Sequence, residues 1–112
     1  MESKRQQKIA RLLQKDLGEI FRLFGSEHLG GYLITVTKVN ITPDISYAKV
    51  YLSLFGPSDK DVAFKTIQLH KKDIRHNLAT RVKSQLRIIP ELEFYIDDSL
   101  DYIENIDKLL KN

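Results

Sequence analysis

The stretch Tyr47 to Phe55, YAKVYLSLF, alternates without interruption. Ala48, Val50, Leu52 and Leu54 fall on one side, while Tyr47, Lys49, Tyr51 and Ser53 fall on the other. A two-residue period is the signature of a strand whose side chains leave opposite faces of a sheet. One face of that sheet is therefore apolar and must be covered, and the rest of the chain has to supply the cover. The preceding run LITVTKVNIT is rich in β-branched residues and reads as a second strand. Between the two lies TPDIS, a turn in which Pro43 presets φ and Asp44 suits turn geometry. The breaker GPSD follows the hairpin.

The cover is helical. Ile9, Leu13, Leu17, Ile20 and Phe24 recur at spacings of three and four, Leu12, Phe21 and Leu23 widen the stripe, and Gly25 offers a stop. From Asp59 to Leu86 the helical period returns, carried first by Val62, Phe64, Ile67 and Leu69 and then by Ile74, Leu78 and Val82. Lys71, Lys72 and Asp73 interrupt it, which predicts two helices with a bend. Pro90 ends the second, because the residue before a proline is driven out of the helical region. LEFYI is the third strand, with Pro90, Leu92, Phe94 and Ile96 expected to be structural. Asp98 or Ser99 is expected to cap a short final helix with Ile103, Ile106, Leu109 and Leu110 on its apolar side. The expected fold class is α+β, in the order α-β-β-α-α-β plus a terminal helix, an open sandwich with helices on one sheet face.

A chain of 112 residues is expected to form one domain, residues 1–112, and can bury a core without covalent staples. It has no cysteine, so disulfides and thiolate metal sites are excluded. No apolar run nears the ~18 residues of a membrane span, and MESKRQQK lacks the apolar stretch of a signal peptide. The expected address is the cytoplasm and the expected state a monomer. His28 is placed in a loop, His70 and His76 on polar helix faces, and no HExxH motif joins them. Asp97, Asp98, Asp101 and Glu104 lack the frame of a calcium loop and fit the start of a helix instead. Gly30 and Gly31 form no phosphate loop, and no serine sits in a nucleophile elbow. Catalysis, cofactors and a small-molecule substrate are not expected.

The distribution of charge is more informative than its total of +3. Lys4, Lys8, Arg11, Lys15 and Arg22 fall within roughly 60° of one another at the standard helical pitch, opposite the apolar stripe. Lys72, His76, Lys83 and Arg87 form a second such stripe, flanked by Arg75 and Arg81. Cations gathered at helical spacing on separate elements can add into a phosphate-binding surface. The expected RNA-binding residues are Lys4, Lys8, Arg11 and Lys15 on the first helix and Lys72, Arg75, His76, Arg81, Lys83 and Arg87 near the proline. Arg75 and Arg87 are expected to contribute more than the lysines of the first helix, because a planar fork suits phosphate. The competing reading pairs Arg75 or Arg81 with Glu91, Glu93 or Asp97 as structural ion pairs. A protein–protein adaptor using the same basic helices on acidic partners is the alternative function. Tyr47, Tyr51 and Tyr95 share a sheet face with Lys49, either to stack bases or to pack beneath the terminal helix.

The segment LRIIPELEFYIDDSL strongly resembles the PELxF signature of the bacterial ribosome-binding factor A family. ISYAKVYLSLFG and ITVTKVNITPD resemble that family's strands, and RQQKIARLLQKDLGEIF and DIRHNLATRVKSQLR its helices. The resemblance implies a KH fold of the type II arrangement. It also implies binding to the 30S ribosomal subunit through 16S ribosomal RNA late in assembly, a role in growth in the cold, and no catalysed reaction. In the family the basic surface concentrates near this proline. The resemblance also implies an Ala-x-Gly kink between the two central helices; the corresponding stretch here is HKKD, His70 to Asp73, without glycine.

Overall fold

The computed structural model describes residues 3–56 and 59–97. Helix α1 (Lys4–His28) starts on a capping box: the Ser3 hydroxyl accepts from the Gln6 amide at 3.1 Å, and the Gln6 side chain accepts from the Ser3 amide at 2.8 Å. The Gln6 side-chain nitrogen then donates to the Ile41 carbonyl at 2.8 Å, fastening the start of the helix to the end of a strand. The predicted apolar stripe faces inward, with Ile9, Leu13, Leu17, Ile20, Phe21 and Phe24 buried, whereas Leu23 is exposed. The helix does not stop at Gly25. It runs to His28, and Gly25 serves a different purpose: a β-carbon there would collide with the Tyr32 carbonyl oxygen. The amides of Leu29 and Gly31 both donate to the Gly25 carbonyl at 3.3 Å, folding the chain back over it.

Strands β1 (Leu33–Ile41) and β2 (Tyr47–Phe55) form the predicted antiparallel hairpin, with a register shift between Val36 and Lys38 that leaves Thr37 as a bulge. The turn places its strain on Ile45, whose φ is 62°. Burial of that side chain helps to hold it, as does Asp44, whose carboxylate accepts from the Thr42 and Ser46 hydroxyls at 2.8 and 2.7 Å. Strand β3 (Glu91–Ile96) pairs parallel to β2, so β2 is central in the order β1-β2-β3. A parallel neighbour requires a crossover. Helices α2 (Lys60–Leu69) and α3 (Lys71–Val82) supply it. Helix α1 packs on β1, α2 on β2 and α3 on β3. This is the expected α-β-β-α-α-β order. The expected terminal helix lies outside the described residues, as do Asp98, Asp101 and Glu104 of the acidic group.

Two expectations about the central helices are corrected. Val62 and Leu69 do not face the core; they are 60% and 84% exposed, and Ala63 and Ile67 are buried instead. A ten-residue helix packed on β2 by one side buries a narrower stripe than the apolar residues of its sequence suggest. Helix α3 ends at Val82, not Leu86. Val82 is fully buried, and the amides of Gln85 and Leu86 both donate to its carbonyl, at 2.8 and 3.0 Å, closing a turn. The chain leaves the helix axis there to reach β3.

Phe94 of β3 is buried, and its ring meets Phe21 of α1 edge-on at a centroid distance of 5.5 Å. Phe94→Ala is expected to cost about 3–5 kcal/mol in chemical denaturation, by loss of transfer energy and creation of a cavity between sheet and helix. A variant as stable as the parent would refute this assignment.

Candidate nucleic-acid interface

Successive turns of α3 bring Lys72, Arg75, His76 and Ala79 to one side of the helix. The segment after Val82 turns back along that side, and Arg87, Ile88, Ile89 and Glu91 complete a cleft of about 800 Å³ with them and with Lys71. Arg87 therefore joins the row of α3 cations, though not as a helical residue. Lys83, assigned to the same stripe on the assumption of a continuous helix, is exposed and does not line the cleft. Lys71 and Ile88 also line it, though neither is among the binding residues expected from the sequence. Lys71 stands next to the bend, and Ile88 is an apolar side chain left 69% exposed at the mouth of a basic cleft.

Arg75 forms the base of this arrangement. Its Nε donates to the Pro90 carbonyl at 3.1 Å, and a terminal nitrogen donates to the Ile89 carbonyl at 2.7 Å. The same nitrogen lies 3.5 Å from the Glu91 carboxylate. One planar guanidinium thus satisfies two carbonyls that precede the strand and ties the turn to α3. The partnership with Glu91 is one of those anticipated from the sequence; the two backbone carbonyls are not legible there. By contrast, Lys72 and Arg87 have no ion-pair partner among the described residues.

Arg81 points elsewhere. It donates to the Glu19 carboxylate and stands 3.6 Å from Asp16, so it clasps α3 to α1. Its partners are not Glu91, Glu93 or Asp97. The hydrogen bond from Arg81, and secondarily its charge, holds the Glu19 carboxyl below its ordinary value of 4.5. On α1 itself Lys4, Lys8, Arg11 and Lys15 are all exposed. Lys8 lines a cleft of about 270 Å³ with Ile9, Leu12, Gln85 and Leu86. The turn that follows α3 therefore borders Lys8 of α1 with Gln85 and Leu86, and the larger cleft with Arg87, Ile88 and Ile89.

The bend between α2 and α3 falls on His70, inside the segment where it was expected. No glycine is needed, because φ −99° and ψ 14° at His70 are open to any residue. The ring nitrogen Nδ1 is 2.8 Å from the Thr66 carbonyl, and the ring packs against Phe24 and His28 at centroid distances of 5.2 and 4.8 Å. His28 is thus in the last turn of α1 and not in a loop, and His70 is half-buried at a junction and not on a polar helix face. Among the described residues no group of three or more His, Asp or Glu side chains is arranged to hold a metal ion. None of the described helices is long and apolar enough to cross a membrane.

The model of the family described as ribosome-binding factor A matches residues 5–110. The chain is 44% identical over 110 residues to ribosome-binding factor A of Cytophaga hutchinsonii, covering 98% of this chain and 83% of that one. The corresponding protein of Christiangramia forsetii is 45% identical over 111 residues, covering 98% and 85%. Among solved structures, the crystal structure of ribosome-binding factor A from Thermus thermophilus superposes with a TM-score of 0.67 at 25% identity, covering 81% of this chain and 94% of that one. A homology model of the Thermus protein, fitted into the cryo-electron microscopy map of a 30S complex, gives 0.63 at 26% identity, covering 78% and 89%.

Arg75 and Arg81 are expected to separate under mutation. Arg75→Ala should lower stability by about 2 kcal/mol, the magnitude of hydrogen bonds made by a charged donor. Arg81→Ala should lower the melting temperature slightly at pH 7, because exposed pairs add little. The sign of its pH dependence follows from the depressed Glu19 carboxyl: the contribution is complete above about 4.5 and fades as pH falls through the lower folded value. Thermal melts of parent and variant that converge on acidification would bear this out. A gap that widens on acidification would refute it.

Proposed function

The chain belongs to the ribosome-binding factor A family, and on that premise we propose that it binds the small ribosomal subunit through 16S ribosomal RNA. In this reading it acts as a monomeric, cytoplasmic assembly factor late in subunit maturation, supports growth in the cold and catalyses no reaction. The observation that carries the proposal is the cleft between α3 and the turn before β3, where Lys71, Lys72, His76 and Arg87 surround an exposed Ile88. Unpaired lysine and arginine side chains beside apolar surface suit a phosphate backbone with its sugars and bases turned inward. The Thermus relative fitted into a 30S complex supports the same partner.

The roles within this reading differ from residue to residue. Lys72, His76 and Arg87 contact the RNA, with Lys71 beside them. Arg75 positions the wall that carries Arg87, and Arg81 stabilises the packing of α3 on α1. Lys4, Lys8, Arg11 and Lys15 extend the contact along α1. A second reading, a protein–protein adaptor, draws on the exposed Val62 and Leu69 of α2.

The tagged chain is expected to co-migrate with free small subunits, and not with joined ribosomes, in sucrose gradients. Affinity for a 16S fragment should fall linearly with log salt concentration, by a slope of about 0.7–0.9 per phosphate contact. Lys72→Gln and Arg87→Gln should each shallow that slope by about one unit while leaving the melt near that of the parent. Unchanged slopes in both variants would remove the cleft from the interface. Binding to subunits that is insensitive to salt and lost in Leu69→Ser would favour the adaptor.

A further inference from the structure

The sheet has a second face, turned away from the helices. The register across the strands puts Lys38, Tyr51 and Tyr95 in one row, and Asn40, Lys49 and Glu93 in the next. The rings of Tyr51 and Tyr95 are stacked, with centroids 5.4 Å apart and planes inclined by 26°. Tyr95 is 38% exposed, and Tyr47, farther along the same face, is 44% exposed. The Tyr95 hydroxyl donates to the Glu93 carboxylate at 2.7 Å. That bond fixes the ring, and with burial it raises the pKa of the hydroxyl, which keeps its proton.

The charges on this face are sorted. Glu93 accepts from Tyr95, Asp97 accepts from the Thr37 hydroxyl at 2.6 Å, and Glu91 faces Arg75. Lys38 and Lys49 are exposed and have no ion-pair partner among the described residues. The acids on this face are occupied by neighbours, and the cations beside the paired rings are not. An aromatic ring exposed on an open sheet can accept any base on its free π face, and nearby lysines neutralise the phosphates that follow.

We propose that the Tyr51–Tyr95 pair, with Lys38 and Lys49, is a second nucleic-acid contact that stacks the bases of unpaired RNA. It rests on the reading of the chain as an RNA binder, yet it uses none of the cleft residues. Engaging both surfaces would let the chain hold a paired or structured region in the cleft and a single strand on the sheet. Sequence tolerance follows, since stacking does not read base edges.

The test uses the full chain and a labelled, unstructured oligoribonucleotide of about a dozen nucleotides. The chain has five tyrosines and no tryptophan, so its intrinsic emission reports directly on tyrosine. Stacking is expected to quench that emission on binding. Tyr95→Leu should weaken binding about tenfold, in line with the loss of one stacked base, and Tyr95→Phe should recover most of it. Lys38→Gln with Lys49→Gln should shallow the log–log salt slope by about 1.4, two single-strand phosphate contacts. Lys72→Gln with Arg87→Gln should leave the quench in place, which separates this contact from the cleft. Emission unaffected by the oligonucleotide, or equal affinity in Tyr95→Leu, would overturn the proposal while leaving the cleft intact. If emission is unaffected and Tyr95→Leu dissociates a dimer, the face belongs to a second copy of the chain. If instead Tyr95→Leu only lowers the melting temperature, the paired rings serve the stability of the fold. Either result also overturns it.

Discussion

The cleft depends on one guanidinium. Arg75 reaches from the middle of α3 to the carbonyls of Ile89 and Pro90, the last two residues before β3. Those carbonyls lie outside the helix and precede the first β3 residue that pairs with β2, so they need donors from somewhere else. By supplying both, Arg75 sets where the turn lies against α3 and hence how far Arg87 and Ile88 stand from Lys72 and His76. Pro90 is fully buried beside it and offers no amide of its own. Its fixed φ narrows what the turn can do, and the arginine selects among what remains. The segment that looked like a basic helix running into a strand is in fact a helix, a turn and a strand pinned at their junction.

A second junction lies at the other end of α3. There the bend carries no glycine, and a histidine takes its place without backbone strain. The side chain is what makes the difference: His70 packs on Phe24 and His28 from the last turn of α1. Glycine would leave that contact unmade. The break between α2 and α3 is thereby braced by aromatic packing against α1, and Arg81 braces the opposite end of α3 against Asp16 and Glu19 of the same helix. Helix α3 is held from both ends by α1 and from the side by the turn before β3. The cations on its remaining surface are presented on a rigid element, which favours binding without the entropic cost of ordering a loop.

The two faces of the sheet divide the chemistry. The helix side is filled by Ala48, Val50, Leu52, Leu54, Leu92 and Phe94, all buried, and serves only as support. The other side leaves a pair of tyrosines and two lysines in contact with solvent. Because β3 joins parallel to β2, Tyr95 comes level with Tyr51 and Lys38 in a single row. That row exists only because the crossover through α2 and α3 is of the right length to bring the third strand back in this register.

By itself the sequence determined the kinds of element and their order. The alternation of YAKVYLSLF, the stripe from Ile9 to Phe24 and the proline before LEFYI are local patterns, and each acts through the geometry of its own segment. They also located the break near His70 and identified most of the cations of the cleft. Tertiary structure decided what depends on residues far apart in the chain. It ended α3 at Val82, which took Lys83 away from the cleft and returned Arg87 to it through a turn. It paired Arg81 with α1 and not with β3, committed Arg75 to backbone carbonyls, and left Val62 and Leu69 in solvent. Periodicity says which residues share a side of a helix; which neighbour that side meets, and where the helix must stop to reach it, is settled only when the helices pack on the sheet.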